Sequence, residues 1–509
     1  MSVAVVLPPT ISPTMNPSFV CSNSRRLVGS RRTPSSVIFH HDFFDFMPNE
    51  ILSFIFHFAV HDDAPEDESY PGMFPLTISH VCSRWRRLAL STGNLWTRIV
   101  LTFPSSDIQL SRTTAWLSRS ATYPLDLLLD FRDPSWDWEE SSHSFRAENI
   151  HDVLRLLLPH VNRWRRFELL TDTWAPIYFF LAHTQHVKSA PRLQKLGLFR
   201  CNAYFASKNE VFQPSNLKTP MKLFGGAELP QLKRVALVGV HLDWEGSSLR
   251  NLLSLELKYH AREVMPPLKD FVHMLISCPN LQSLAILGWG PLYLGNGDSF
   301  RSLERSIRLP HLTSLSYGFL DVQYALRLLS LFILPSLRHL SLEDISESVD
   351  HTGTSRVDAT PLFDWLSDQA CSPCSAHDRS IQCTCSTTLR ISRVTQLKLH
   401  GVWASEDSLR RLFRQASSAR HLSLSKVNSG ALRALLTPSD DSTIPCPSLR
   451  SFHFRGQDCQ TLCELVITRA YSQWPINELS LSEHCPKLND EALKLLEMCG
   501  VNVILDSDC

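Results

Sequence analysis

The sequence predicts an α/β protein in which a short helical segment precedes a long solenoid with a parallel sheet on one face. Three observations favour this fold class. Apolar residues between positions 46 and 99 recur at helical spacing in two short segments. From about position 161 onward, a phrase of three apolar residues recurs, and helical segments lie between several of its copies. A strand and a return helix in each unit would place the strands parallel in one sheet.

The recurring phrase is an apolar residue, two variable residues, an apolar residue, one variable residue and a final apolar residue. Most copies are about 20 to 31 residues apart, with longer gaps after Leu193 and Leu337, which is the period of a leucine-rich repeat. The copies are Leu193-Leu196-Leu198, Leu232-Val235-Leu237, Leu252-Leu255-Leu257, Leu281-Leu284-Ile286, Leu312-Leu315-Tyr317, Leu337-Leu340-Leu342, Val394-Leu397-Leu399, Ala419-Leu422-Leu424, Leu449-Phe452-Phe454 and Ile476-Leu479-Leu481, with Trp164-Phe167-Leu169 as a candidate first copy.

Each phrase predicts a short strand, because alternate residues of a strand point to opposite faces. The last two apolar positions then face a core and the residue between them faces outward. Return helices are predicted around Leu268–Leu275, Leu409–Ala416 and Leu462–Val466, and Ser405 is positioned to cap the second. An ordinary α/β domain with Leu-rich strands is the alternative interpretation.

The helical pair near the amino terminus carries more apolar surface than two short helices can bury against each other. Pro48 suits a first helical turn, and Ile51, Leu52, Ile55, Phe56 and Ala59 follow as one broad apolar stripe. The second helix repeats this period from position 78 to position 89. About fifty residues do not normally fold alone on this basis, so the surplus is expected to meet another surface. A generic helical cap on a larger domain is the alternative.

These segments resemble the F-box family in its fungal form, whose pattern reads roughly Leu-Pro-x-Glu-Ile-Leu-x-x-Ile-Phe, Val-Cys-x-x-Trp-Arg-x-Leu-Ala and Leu-Trp-x-x-Ile. The matching stretches are Met47–Phe56, Val81–Ala89 and Leu95–Ile99. Two departures stand out. Met47 replaces the usual Leu, which conserves volume, and an acidic insert at 61–72 separates the helices.

The resemblance implies a non-catalytic substrate-recognition subunit of an SCF-type cullin-RING ubiquitin ligase. Its F-box helices would dock onto a Skp-type adaptor. The alternatives are a non-degradative F-box scaffold and a zinc-binding interaction protein. The residues implied in adaptor binding are Met47, Pro48, Ile51, Leu52, Ile55, Phe56, Val81, Cys82, Trp85, Leu88, Leu95 and Trp96.

The later phrases resemble degenerate leucine-rich repeats, which often follow an F-box. The family's Asn or Cys, three positions after the last Leu, is present only as Cys201, which predicts irregular turns. The outward strand positions form a mixed-charge surface that suits a protein target better than nucleic acid. The residues predicted to bind the target are Lys195, Arg234, Glu256, Lys258, His339, Glu343, Lys398, His400, His421, His453 and Arg455.

Composition sets the domain limits and excludes several functions. Lys and Arg together number 50, as do Asp and Glu, so no net charge attracts nucleic acid or an anionic membrane. No apolar run is long enough to cross a bilayer, and no motif of a common enzyme class occurs.

We expect a disordered basic Ser/Pro tail (1–41), an F-box-like domain (42–101), a transitional segment (102–160) and the repeats (161–509), with an insertion at about 344–393. Fourteen scattered cysteines favour reduced thiols and a cytoplasmic or nuclear protein.

One cluster in that insertion has the residue types of a zinc site. Thiolates with an imidazole can hold a tetrahedral zinc ion, although the Cys-x-Cys spacing of the second pair is less usual than Cys-x-x-Cys. An unstructured Cys-containing insertion is the alternative, and no other cofactor is expected. The candidate ligands are Cys371, Cys374, His377, Cys383 and Cys385.

Overall fold

A computed structural model describes most of the chain as two compact units. The described residues are 46–61, 74–137, 142–201, 211–293, 307–346, 357–368, 389–436, 443–472, 474–482, 494 and 496–506. The amino-terminal unit comprises residues 1–98 and 115–123, and the sheet unit comprises residues 99–114 and 124–509. Each unit has its own core.

Twelve α-helices and sixteen strands occur in the described residues. The helices are α1 (Asn49–His61), α2 (Phe74–Ser79), α3 (Ser83–Ser91), α4 (Asp107–Arg119), α5 (Ala147–Leu157), α6 (Ala175–Thr184), α7 (Leu268–Ile276), α8 (Val322–Ser330), α9 (Thr360–Asp368), α10 (Glu406–Gln415), α11 (Gly430–Arg433) and α12 (Cys459–Ala470). The strands are β1 (Arg98–Thr102), β2 (Leu125–Asp130), β3 (Trp164–Thr171), β4 (Lys195–Arg200), β5 (Arg234–Val238), β6 (Ser254–Lys258), β7 (Ser283–Leu287), β8 (Ile307–Arg308), β9 (Ser314–Phe319), β10 (Phe332–Ile333), β11 (His339–Asp344), β12 (Gln396–His400), β13 (His421–Ser425), β14 (Ser451–Arg455), β15 (Glu478–Ser482) and β16 (Asn502–Asp506).

The sheet unit is built on an open sheet whose strands follow the order of the chain. Fourteen described strands hydrogen-bond in the order β1 to β7, β9, then β11 to β16, while β8 and β10 form a small separate pair. The pairings from β2 to β16 are parallel, as between His339 and Gln396 of β11 and β12. The predicted α/β class with a parallel sheet is therefore confirmed, and the open sheet is compatible with a solenoid. The segment predicted to be transitional contributes β2 to this same sheet.

The recurring apolar phrase marks the strands and the core beneath them. In the copy at β6, for example, Leu252, Leu255 and Leu257 are all buried, and the same holds for every copy quoted above. The Trp164 copy is also buried and stacks on Phe167 with ring centroids 4.8 Å apart. The three predicted return helices are present as α7, α10 and α12, each with its predicted leucines buried. Ser405 caps α10 by accepting a 3.2 Å hydrogen bond from the Ser408 amide.

The absence of the family's Asn or Cys predicts irregular turns after the strands. The turns after five strands are nevertheless alike. The residue following the strand is left-handed at Gly239, Tyr259, Gly288, Gly401 and Lys426. Each donates its backbone N–H to a carbonyl at the end of the next strand, at 2.8 to 3.2 Å. The acceptor is the last residue of that strand in four cases, and for Gly288 it is Gly318, the last but one of β9. Apolar residues at the family's Asn position, such as Val240 and Val402, are buried instead. Backbone pairing and packing thus replace the polar side chain.

Gly401 should tolerate a side chain poorly. Its φ is +66°, and a Cβ there would lie 2.8 Å from the Asp344 carbonyl oxygen. Gly401→Ala is expected to lower the free energy of unfolding by about 2–3 kcal/mol, since strain and a clash with rigid backbone combine. Gly500→Ala is the matched control, because Gly500 also has a positive φ but no atom of the described residues lies within 4 Å of its Cβ position. Equal losses in urea unfolding would show that the clash contributes nothing.

One buried and one half-buried histidine in the sheet unit, His260 and His241, predict acid sensitivity. Burial, reinforced by the neighbouring His241, lowers the pKa of His260 to about 3, and burial and Lys218 lower that of His241 to about 4. In the unfolded chain both histidines take up a proton near pH 6.5, whereas in the folded protein they stay neutral. The free energy of unfolding is therefore at its full value above pH 6.5 and decreases as the pH falls toward 4. For His260 alone the loss at about pH 5 is roughly 2 kcal/mol.

Urea unfolding at neutral pH and at about pH 5 tests this expectation. His260→Gln removes one titrating group and should reduce the pH dependence by that amount. His421→Gln, at an exposed position of β13, should leave the pH dependence as in the wild type. An unchanged pH dependence in the His260 variant would contradict the prediction.

Among the described residues, no helix combines the length and the hydrophobicity that crossing a bilayer requires. The described cysteines are free thiols. The five candidate zinc ligands between Cys371 and Cys385 lie outside the described residues, so the zinc site stays a prediction.

Candidate docking surfaces

Helix α1 has two apolar faces, and only one of them is buried among the described residues of the amino-terminal unit. The inner face places Leu52 and Phe56 in the core, where the Phe56 ring lies 4.8 Å from the Trp85 ring between centroids. The outer face carries four exposed side chains at positions i, i+3, i+4 and i+7. These are Ile51, Phe54, Ile55 and Phe58, with exposed fractions of 49, 64, 40 and 53%. We call these four residues the α1 stripe.

The rest of the unit holds α1 in place. Leu52 donates its amide hydrogen to the Pro48 carbonyl at 3.1 Å, so Pro48 begins the helix without losing a donor. Arg84 on α3 bonds the Met47 carbonyl and donates to the Asn49 side chain at 3.0 Å, which pins the amino end of α1. Trp96 is fully buried and donates its indole N–H to the Ala89 carbonyl at 2.8 Å. The stripe is therefore presented on a supported helix.

Exposed apolar residues are concentrated in this unit. Eight of the large hydrophobic side chains exposed in the described residues lie between positions 46 and 90, and the other seven are scattered from Ile108 to Ile504. The eight comprise the α1 stripe with Phe46, Phe74, Val81 and Leu90. Contiguous apolar surface of this kind marks a protein interaction site.

The residues implied in adaptor binding divide between the core and the surface. Leu52, Phe56, Leu95 and Trp96 are buried, and in this arrangement they hold the unit together and offer no surface. Met47, Trp85 and Leu88 are half-buried. Pro48, Ile51, Ile55, Val81 and Cys82 are exposed. The sulfur of Cys82 also accepts the Trp85 amide at 3.4 Å as the cap of α3.

Sequence reasoning missed the two phenylalanines of the stripe. It assigned α1 a single broad stripe, whereas the structure turns Leu52 and Phe56 inward and leaves Ile51 and Ile55 outside with Phe54 and Phe58. The i, i+3, i+4, i+7 spacing of positions 51, 54, 55 and 58 was the available signal. The sequence could not show which of two overlapping stripes would face the core.

The sheet offers the second surface, formed by the side chains that point away from its core. Three rows of outward positions cross the strands in register. One row runs through Lys195, Arg234 and Ser254, and on to His339 and His421. The predicted target residues all lie in these rows and are at least partly exposed, which places them where the strand alternation predicts. Whether they bind a target stays a prediction.

Charges near the first strands of this face are neutralised by neighbours. Glu168 on β3 accepts from Arg166 at 3.0 Å and from Lys195 at 2.8 Å. On β6, Lys258 contacts Glu256 at 2.6 Å. These strands therefore present little unbalanced charge.

Charges from β11 to β14 are less balanced. Glu343 on β11 is flanked by Lys258 and Lys426, which favour its charged form, but burial prevails and raises its pKa. Burial, together with the positive charges of Lys426 and Arg455, lowers the pKa of His400 on β12 to about 4. His400 is thus neutral at physiological pH within a positive field.

Comparison with known families identifies the amino-terminal unit. Residues 44–102 match the family model described as F-box-like. This part of the chain is an F-box-like domain, a module for protein–protein interaction of the kind that binds Skp-type adaptors. The match ends with the last residue of β1, so the leucine-rich-repeat assignment of the later strands stays a prediction. No curated protein matches the chain.

Proposed function

We propose that this protein is the substrate-recognition subunit of an SCF-type cullin-RING ubiquitin ligase, acting in the cytoplasm or nucleus without a catalytic centre of its own. The observation that carries the proposal is the α1 stripe, an unused apolar face on the helix that opens the F-box-like domain. The ligase partner would supply the ubiquitin-transfer chemistry.

Adaptor docking is assigned to the exposed members of the F-box-like domain. Covering the exposed half of Ile51, Phe54, Ile55 and Phe58 against a partner would gain roughly 1–1.5 kcal/mol for each side chain, about half of the gain for burial from full exposure. Val81 adds to this surface from the turn between α2 and α3. Leu52, Phe56 and Trp96 support it from within the core.

Target binding is assigned to the outward face of the sheet. Outward residues from many strands lie side by side about 4.8 Å apart, which gives a broad surface with mixed chemistry. Such a surface suits a polypeptide, since protein interfaces combine polar and charged groups with an apolar minority.

Reconstitution from purified components tests the proposal. The full chain is mixed with a Skp-type adaptor and a cullin–RING pair and then analysed by size-exclusion chromatography. Co-elution of all components, together with ubiquitin transfer to a captured target, is the expected result. An adaptor complex that excludes the cullin would instead establish the non-degradative scaffold, and failure to bind the adaptor would refute the proposal.

A further inference from the structure

The outward face of β12, β13 and β14 is cationic and has no acid of its own. These strands contain no Asp or Glu. Lys398 and His400 lie on β12, His421 on β13, and His453 and Arg455 on β14. Lys426 follows β13 directly, in a left-handed turn with φ +52°. We call these six residues the basic face, whose formal positive charge at pH 7 comes from Lys398, Lys426 and Arg455.

Adjacent groups extend the positive character. Arg338, Arg420 and Arg450 immediately precede β11, β13 and β14 and are exposed. The acids on the flanking strands are Glu343 and Asp344 on β11 and Glu478 on β15, and Asp344 is buried. The single carboxylate of Glu343 can compensate only one of the three cations of the basic face. The contrast with Glu168, which pairs with cations from two strands, shows that the other end of the sheet balances its charges internally.

We infer that the basic face binds an extended, Asp- and Glu-rich segment of the target protein. The inference rests on the proposed function and names the chemistry of the target. An acidic segment would supply the negative charge that β12 to β14 lack, and such complementarity fixes both partner and register.

The arrangement of the cations favours several carboxylates over one phosphate. Lys398, Lys426 and Arg455 come from three adjacent strands, or from the turn after one, and so span about 10 Å of the sheet. A phosphate dianion is recognised by donors that converge on its oxygens. Separate single charges fit a row of separate cations better.

The side chains also disfavour nucleic acid. Single-stranded nucleic acid binding combines cations with aromatic rings on which bases stack. The outward positions of β12 to β14 carry Gln, Lys, His, Ser and Arg but no Phe, Tyr or Trp. A peptide backbone with carboxylates needs no stacking platform.

Fluorescence anisotropy with the full chain tests the inference. The probe is a labelled synthetic peptide in which Asp and Glu alternate with Gly. It should bind at low ionic strength and weaken as salt is added. Lys398→Glu combined with Lys426→Glu should weaken binding at least about tenfold. Lys269→Glu, which replaces an exposed cation on the return helix α7, is the matched control and should change binding less than about twofold.

Four results would overturn the inference. They are equal binding of the Asn/Gln version of the peptide, equal weakening by Lys269→Glu, tighter binding of a single-phosphoserine peptide without Asp or Glu, and tighter binding of single-stranded RNA. Thermal unfolding checks that the double variant is folded. The double variant should still bind the adaptor through the F-box-like domain. If the wild-type chain does not bind the adaptor, the proposed function is refuted. If it binds the adaptor but not the acidic peptide, only this inference is refuted.

Discussion

Phe54→Glu combined with Ile55→Glu is expected to abolish adaptor binding while leaving the F-box-like domain folded. Both side chains are exposed on the outer face of α1, so neither contributes to the core. An adaptor that binds over these two positions would have to bury two carboxylates that have no cation or hydrogen-bond donor beside them. Anchors of this type contribute about 2 kcal/mol or more each, so affinity should fall by more than about a hundredfold. Glu is a good helix former, and α1 should persist.

Two further variants make this result specific. Ile276→Glu alters an exposed isoleucine on α7 of the sheet unit and should leave adaptor affinity unchanged. Phe56→Ala removes a buried ring from the inner face of α1 and should cost about 3–5 kcal/mol of stability. Titration calorimetry gives the affinities and thermal unfolding gives the stabilities. If the double Glu variant binds the adaptor normally and α1 is intact, the α1 stripe is not part of the adaptor interface.

Arg469→Ala is expected to destabilise the sheet unit more than any surface substitution. Arg469 on α12 is 3% exposed, and its guanidinium donates to the Cys446 carbonyl at 3.2 Å and to the Pro445 carbonyl. Burial lowers its pKa. Removing it leaves two buried carbonyls without these donors and opens a cavity. Together these losses should lower the free energy of unfolding by about 3–5 kcal/mol.

Arg433→Ala is the matched control for this prediction. Arg433 also donates from a return helix, to Glu406 at 3.1 Å, but it is 53% exposed. Exposed ion pairs contribute about 0–1 kcal/mol, so this variant should unfold near the wild-type urea concentration. Arg469→Met retains apolar volume without the donors. If Arg469→Met is as stable as the wild type, the stabilising effect of Arg469 comes from its packing and not from its hydrogen bonds to the two carbonyls.

The repeating architecture was predictable because it rests on local periodicity. The phrase at Leu252, Leu255 and Leu257 alternates in the way a strand requires, and α7 and α10 follow from 3.6-residue spacing. The regular turn at Gly401 was not predictable from the family's Asn pattern. It depends on a hydrogen bond to Ser425, which belongs to the next strand, about twenty-four residues away.

The sequence by itself determined that α1 is apolar, that the strands repeat and that β12 to β14 carry cations. Each of these is a property of residue identity and short-range spacing. Only the tertiary structure decided that Leu52 and Phe56 are buried, with Phe56 against Trp85, while Phe54 and Phe58 remain exposed. It also decided that Glu168 on β3 meets Lys195 of the neighbouring strand β4. The physical reason is that burial and charge balance depend on which distant segments pack together, and periodicity along the chain does not specify those neighbours.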